Sequence, residues 1–331
     1  MRSLIKNKMI EIDQLSFDYR TFSKEPGLKG ALRDIFHRQY QAVPALKNLN
    51  LTIQDGEIVG LIGPNGAGKT TLTKLLTGII QPSRGRVTVA GIDPGSRQKQ
   101  LLRQIGVMFG QKSQLSWNLP AADTLNLLAA IYQLEPDRYQ QRLQELCAML
   151  DISEIIKLPV RKLSLGQRIR CELACSLIHE PRYLFLDEPT IGLDLLTQEK
   201  IYDFLKEENR LHQTTIILTS HNVRDLEALA QRLLILSKGE LIFDDKLSKL
   251  PLQIKQADAY CLKYWIGDRA DVREEVIHDP GQLFAKMEEF RPEQIISLSK
   301  TGVSVEDVIL KIYQREKEST TPDRGRRFAT N

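Results

Sequence analysis

The stretch Gly63-Pro64-Asn65-Gly66-Ala67-Gly68-Lys69-Thr70-Thr71 constrains the fold more than any other part of this chain. An apolar run, Ile58-Val59-Gly60-Leu61-Ile62, leads into it and reads as a buried strand. Leu72, Leu75, Leu76 and Ile79 follow at the spacing of one helical face. Strand, glycine-rich loop and helix in that order form a phosphate loop. The glycines let backbone N–H groups turn inward on an anion, and the helix start adds its positive dipole end. Lys69 then offers a point charge to the outer phosphates, and the Thr70 hydroxyl a ligand for Mg²⁺. The alternative, a plain glycine-rich turn with a surface lysine, fits this setting poorly. The stretch implies a bound nucleoside triphosphate.

A chain of 331 residues accommodates one large domain and a smaller one. Lys+Arg 46 against Asp+Glu 42 leaves a net charge of +4, too mild to point to nucleic acid, and no nucleic-acid partner is expected. Cys147, Cys171, Cys175 and Cys261 lack paired metal-ligand spacing; Cys171 and Cys175, four apart in a helical pattern, read as small buried residues of a protein in a reducing cytoplasm. No apolar run approaches the roughly 20 residues that span a bilayer. Met1 to Lys8 is too polar for a secretory core. A membrane role would therefore act through a partner or a surface contact.

Ile10 to Phe17 alternates as a strand and runs into Tyr19, which sits just past the strand end in this reading. Tyr19 either stacks on a base or packs on the sheet. Arg20 to Val43 is irregular, but Leu28, Ala31, Leu32, Ile35 and Phe36 fall on one helical stripe with Lys29, Arg33 and Arg38 elsewhere on the wheel. This basic amphipathic helix either caps its own domain or meets a partner or membrane surface. Strands are expected at Leu46–Ile53, Arg86–Ala90, Ile105–Phe109, Tyr183–Leu186, Thr215–Thr219 and Leu233–Leu236. Helices are expected at Leu125–Tyr132 and Arg138–Leu150. Such alternation implies an α/β fold with a mainly parallel sheet and helices on both faces. Beyond about Leu247 the pattern thins to strands at Ala257–Ile266 and Ile295–Leu298 and helices at Gly281–Glu289 and Val305–Tyr313, a small α+β domain. Gln314 to Asn331 is polar without periodicity and reads as a disordered tail.

Leu184-Phe185-Leu186 ends abruptly in Asp187 and Glu188, and a buried strand tolerates carboxylates only where they can face a ligand. Asp187 suits Mg²⁺ beside Thr70, and Glu188 can polarise an attacking water. Leu163-Ser164-Leu165-Gly166-Gln167 opens a second helix, with Ser164 as N-cap and Ile169, Leu173 and Leu177 as its buried stripe. Thr219-Ser220-His221 ends a strand; taken alone, His221 reads as a surface histidine.

With these motifs in order, the chain resembles the ATP-binding subunit of a bacterial ABC transporter from about Ile10 to Leu247. Gly63–Thr71 resembles the Walker A loop, Gln111 the Q-loop glutamine and Leu163–Gln167 the signature. Leu184–Glu188 resembles the Walker B strand, Gly192-Leu193-Asp194 the D-loop, and His221 the switch histidine. Tyr19 falls where the family stacks adenine. Two features depart from the common pattern. Leu165 replaces the first glycine of the signature, where a side chain would resist a positive φ, and Arg20–Val43 is an insertion. Pro26-Gly27-Leu28-Lys29 and Gln111–Trp117 resemble a subgroup of exporter ATPases of the multidrug or viologen type. Ser304–Leu310 resembles the end of the C-terminal domain of type-2 exporter ATPases.

The resemblance implies a P-loop NTPase fold of the ABC ATPase type. That means a mainly parallel sheet with an antiparallel β-subdomain and a helical subdomain over residues 1–247, a small α+β domain over 248–313 and a tail over 314–331. It implies ATP with Mg²⁺, with Thr70, Gln111 and Asp187 on the metal and Glu188, Gln111 and His221 in hydrolysis. Tyr19, Gly63, Pro64, Asn65, Gly66, Ala67, Gly68, Lys69, Thr70, Thr71, Ser164, Gly166, Gln167 and Asp194 would hold the nucleotide. The protein would be cytoplasmic, peripheral on the inner face of the membrane. It would pair head to tail with a second copy or a related ATPase subunit and power separate integral membrane subunits, touched by Gln111–Ala122. The alternatives are an ABC-type ATPase of translation or DNA repair, against which the single cassette without long heptads speaks, and a regulator without turnover, against which the intact Glu188 speaks.

Overall fold

The computed structural model describes residues 9–22, 40–110, 113–220, 222–250, 259–266, 271–277, 279–301 and 309. The chain divides into two compact units, Met1–Leu247 and Ser248–Asn331.

In the first unit, β1 (Met9–Phe22), β2 (Tyr40–Gln54) and β4 (Arg84–Val89) form an antiparallel sheet in the order β2-β1-β4. A six-stranded sheet carries the rest: β3 (Ile58–Ile62), β5 (Ile105–Phe109), β6 (Tyr183–Asp187), β7 (Thr215–Thr219), β8 (Arg232–Ser237) and β9 (Glu240–Lys246), in the order β5-β6-β7-β3-β8-β9. Its first five strands run parallel, and only β9 is antiparallel. The apolar runs over β3, β6 and β7 are buried on both faces, as a covered parallel sheet requires.

Helix α1 (Lys69–Leu76) begins at Gly68 and ends at Gly78, whose φ of 71° lets its N–H bond back to Leu75 O at 3.1 Å. Ile79 therefore lies beyond the helix and is exposed, not on its buried face. Leu72, Leu75 and Leu76 join one core with Ile10, Leu15, Leu46 and Leu49 of the antiparallel sheet and Leu61, Phe185, Ile217 and Leu234 of the parallel one. The phosphate-loop helix is thus clamped between two sheets.

After the short α2 (Lys99–Leu102), α3 (Ala121–Tyr132), α4 (Pro136–Met149) and α5 (Leu165–Leu177) form the helical part. Helices α6 (Leu195–His212) and α7 (Val223–Leu229) complete the unit. Cys171 and Cys175 are buried in α5, where burial pushes their thiols up, Cys171 to about 12.

The second unit pairs β10 (Ala259–Ile266) with β11 (Asp271–Ile277) and β12 (Ile295–Thr301), with α8 (Pro280–Glu288) alongside; Leu262, Tyr264, Ile277 and Leu283 form its core.

One further expectation is corrected. Tyr19 lies inside β1, not past its end, because the ribbon continues through Arg20↔Ala42, Thr21↔Gln41 and Phe22↔Tyr40. Residues 20–22 and 40–43, at the two ends of the irregular stretch, are accordingly strand. Strands β9 and β11 were not expected, being polar sequences at sheet edges. The expected helix over 28–38, most of that over 305–313, and the tail fall outside the described residues.

Candidate active site

Parallel strands gather their carboxyl ends at one edge, and ligands of open α/β sheets bind there. The register puts Phe109, Asp187, Thr219 and Leu61 in one row across β5, β6, β7 and β3. The phosphate loop leaves one step beyond that row and Glu188 follows Asp187. A cleft of about 770 Å³ opens there, lined by Tyr19, Val43–Ala45, Asn65–Thr71, Gly110, Asp187, Glu188 and Ile191.

Lys69 is buried and its Nζ donates to Gly63 O at 2.6 Å and, more weakly, to Pro64 O at 3.4 Å. The loop's own carbonyls thus hold the ammonium inside its curve. Burial pushes Lys69 below the usual lysine range, while the carboxylates of Glu188 and Asp187 pull the other way. At Gly63 a Cβ would stand 2.4 Å from Leu236 O, so this turn admits no side chain. The Tyr19 hydroxyl lies 3.1 Å from Thr71 Oγ1, and the Phe17 ring meets the Tyr19 ring edge-on at 4.9 Å. A half-exposed ring is thereby fixed on the cleft wall, with Val43 and Pro44 beside it. Val43 ends the irregular stretch 20–43 and Pro44 follows it, and nothing in the local sequence marks either as a cleft residue.

Asp187 is held by two hydroxyls: Thr219 Oγ1 donates to Oδ1 at 2.5 Å, and Thr70 Oγ1 lies 3.4 Å from Oδ2. Thr70 and Asp187 thus present hard oxygen donors at one place, the donor chemistry Mg²⁺ takes. Glu188 adopts φ 55°, left-handed for a non-glycine residue, with its N–H directed to Thr219 O at 3.1 Å and Thr219 Oγ1 at 3.2 Å. Thr219 therefore locks both carboxylate residues to β7. Sequence reading gave it no role beyond ending a strand.

The signature lies elsewhere. Ser164 caps α5, accepting from Gln167 N at 3.2 Å while Gln167 Oε1 accepts from Ser164 N at 2.9 Å, a full capping box. Leu165 opens the helix and is not among the residues with positive φ, so the strain expected of it does not arise. Its side chain instead lies over Gly192, 3.1 Å from where a Cβ would stand. Gly166 faces Thr197 and Leu193. Asp194 caps α6, accepting from Thr197 N at 3.0 Å and Thr197 Oγ1 at 2.7 Å, and those bonds hold its carboxyl below the usual range. Leu165 and Gly166 thus pack against the D-loop, and none of Ser164, Gly166, Gln167 and Asp194 lines the cleft of its own chain. Gln111 and His221 fall outside the described residues.

The family described as ABC transporter matches residues 46–191, from β2 to just past Glu188. The daunorubicin resistance ATP-binding protein DrrA3 of Streptomyces coeruleorubidus is 32% identical over 269 residues, 81% of this chain and 78% of that protein. The chain belongs to the ABC transporter ATP-binding proteins. The ABC transporter ATP-binding protein NatA of Bacillus subtilis is 31% identical over 215 residues, 65% of this chain and 87% of its own. The dimeric ATP-binding cassette MJ0796, in a post-hydrolysis state bound to ADP and Pi, superimposes with a TM-score of 0.60 at 26% identity, over 72% of this chain and 98% of that one. The fold is accordingly the P-loop NTPase fold of ABC ATPases. The protein is the ATP-binding, ATP-hydrolysing subunit of an ABC transporter, and its relatives serve transport rather than translation or DNA repair. Among the described residues no helix is long and apolar enough to cross a membrane.

Proposed function

We propose that this ABC ATPase powers an exporter, as a dimer whose two composite sites each join the cleft of one chain to the signature of the other. The observation that carries this reading is the separation within one chain. Lys69, Thr70, Asp187 and Glu188 line a single cleft, whereas Ser164 and Gly166 are not among the residues that line it. A second copy related by a two-fold axis supplies what each cleft lacks. Relatives named for daunorubicin resistance support the outward direction, and the membrane subunits would be separate integral proteins at the inner face of the membrane.

The loop Gly63–Thr71 wraps the phosphates with backbone N–H groups, and Lys69 leaves its carbonyl partners for the outer phosphate oxygens. Tyr19 stacks on adenine. Thr70, Asp187 and Gln111 would hold Mg²⁺, which when bound neutralises charge on the transferred phosphate. Glu188 accepts the proton of the attacking water and orients it, while Ser164, Gly166 and Gln167 of the second copy, with Asp194 and His221, close on the γ-phosphate side. Glu188→Gln keeps shape and hydrogen bonding while removing the base. It should bind ATP with affinity near wild type and lose about 10²–10⁴-fold in turnover. Phosphate release measured beside equilibrium ATP binding tests this, and turnover near wild type would remove Glu188 from the role.

A further inference from the structure

Next to the turn that follows Glu188, four buried side chains meet in a cluster outside the nucleotide motifs. Asp225, in the first turn of α7, accepts from Thr190 Oγ1 at 2.5 Å and Ser220 Oγ at 2.5 Å on Oδ2, and from Tyr202 OH on Oδ1. Asp225 and Ser220 are 1% exposed, Tyr202 2% and Thr190 3%. A carboxylate withdrawn this far from water is sustained by its donors, and each hydroxyl has one hydrogen to give. The three donors come from three places: the turn after Glu188, the residue following β7, and α6.

The turn after Glu188 is the part that matters for chemistry. Thr190 is two residues from Glu188, and Leu193 N closes the turn on Thr190 O at 3.2 Å. Gln198 of α6 secures the same turn through Leu193 O at 3.1 Å. On the other side Glu188 is bonded through its N–H to Thr219, the residue before Ser220. Asp225 therefore ties Thr190 and Ser220 to one another on both flanks of Glu188, whose left-handed backbone persists only because its surroundings dictate it.

We infer that Asp225 is a positioning residue for hydrolysis, gripping Thr190 and Ser220 so that the Glu188 carboxylate is held at its place in the cleft. The inference rests on the proposed role of Glu188. A residue that merely stabilised the fold would lower thermal stability and ATP affinity along with the rate. A positioning residue lowers the chemical rate at unchanged affinity.

The test is single-turnover ATP hydrolysis by the full chain in excess over nucleotide, with ATP affinity and thermal midpoint measured on the same samples. Asp225→Asn and Thr190→Val should each slow the rate about 10- to 100-fold, the scale of a small misplacement of a reacting group. Their ATP affinity should stay within about threefold of wild type. Thr190→Ser, which keeps the hydroxyl, should retain the wild-type rate. If Asp225→Asn fails to fold, the Thr190 pair carries the comparison alone. Rates within about twofold of wild type overturn the inference. So does a loss of rate and affinity in parallel, or a Thr190→Ser as slow as Thr190→Val. Glu188→Gln run alongside separates the two readings: if it still turns over, the role of Glu188 has failed. If it is inactive while Asp225→Asn is fast, only the role of Asp225 has failed.

Discussion

Gly68 and Gly66 share a loop and a positive φ, yet their surroundings differ. At Gly68, φ 107°, a Cβ would lie 2.5 Å from Leu46 Cδ2 and 2.8 Å from Ala45 O, because β2 crosses directly over the start of α1. At Gly66, φ 82°, nothing stands within 4 Å. Gly68→Ala therefore meets backbone strain and a rigid neighbour together, and should cost about 1–3 kcal/mol with a clear loss of ATP affinity. Gly66→Ala meets strain alone and should cost less. Denaturant unfolding of both variants, with and without ATP, checks the order; an equal loss at the two positions would discount the close approach of β2. The need for glycine at both positions is legible in the sequence, but the difference between them is not, since Leu46 is distant along the chain.

Among the elements, α4 and α6 are joined by a buried ion pair. Arg142 of α4, 2% exposed, donates through Nη2 to both carboxylate oxygens of Glu208 of α6, 1% exposed, each at 2.8 Å. Glu145 adds a bond to Arg142 Nη1 at 2.8 Å, and Thr214 lies 3.4 Å from Glu208 Oε1. Neither helix reveals this in sequence, where both residues look like ordinary charges on amphipathic faces. Glu208→Ala leaves a guanidinium buried without its main partner and should destabilise by about 3–5 kcal/mol, whereas Arg142→Met with Glu208→Leu should be near neutral. Thermal and denaturant unfolding of the single and double variants decides it; a double variant as unstable as the single would mean that packing, not charge, joins the helices. Elements with strong apolar runs, β5 and β7 above all, match their sequence-based bounds to the residue. Edge strands β9 and β11 escape notice because one open edge and a polar face relax the demand for an apolar pattern.

At the scale of the whole molecule, composite sites predict complementation between two inactive chains. Lys69→Ala spoils the cleft of its own chain but leaves Ser164 sound, and Ser164→Arg does the reverse. Random mixing makes about half of the dimers mixed, and each mixed dimer holds one site with both lesions and one with neither, so about a quarter of all sites recover. ATPase activity of the mixture, with covalently linked mixed dimers assayed for single-turnover hydrolysis, is the measurement. Activity no higher than the average of the two variants, in the linked dimers as well, would count against sites built across an interface.

The sequence by itself determined the phosphate loop with its strand and helix, the two carboxylates ending β6, and the Ser164 cap of α5. These are local matters, fixed by apolar periodicity, by glycine where φ turns positive, and by a hydroxyl three residues before the N–H that it caps. Tertiary structure decided how these residues come together and what else stands around the cleft. Strand register brought Thr219 beside Asp187, and the extended β1–β2 ribbon carried Tyr19 and Val43 to the wall. It also decided Asp225, whose three donors are 5, 23 and 35 residues away in the chain. A buried carboxylate takes its meaning from the groups that replace its water, and those are set by how strands and helices pack.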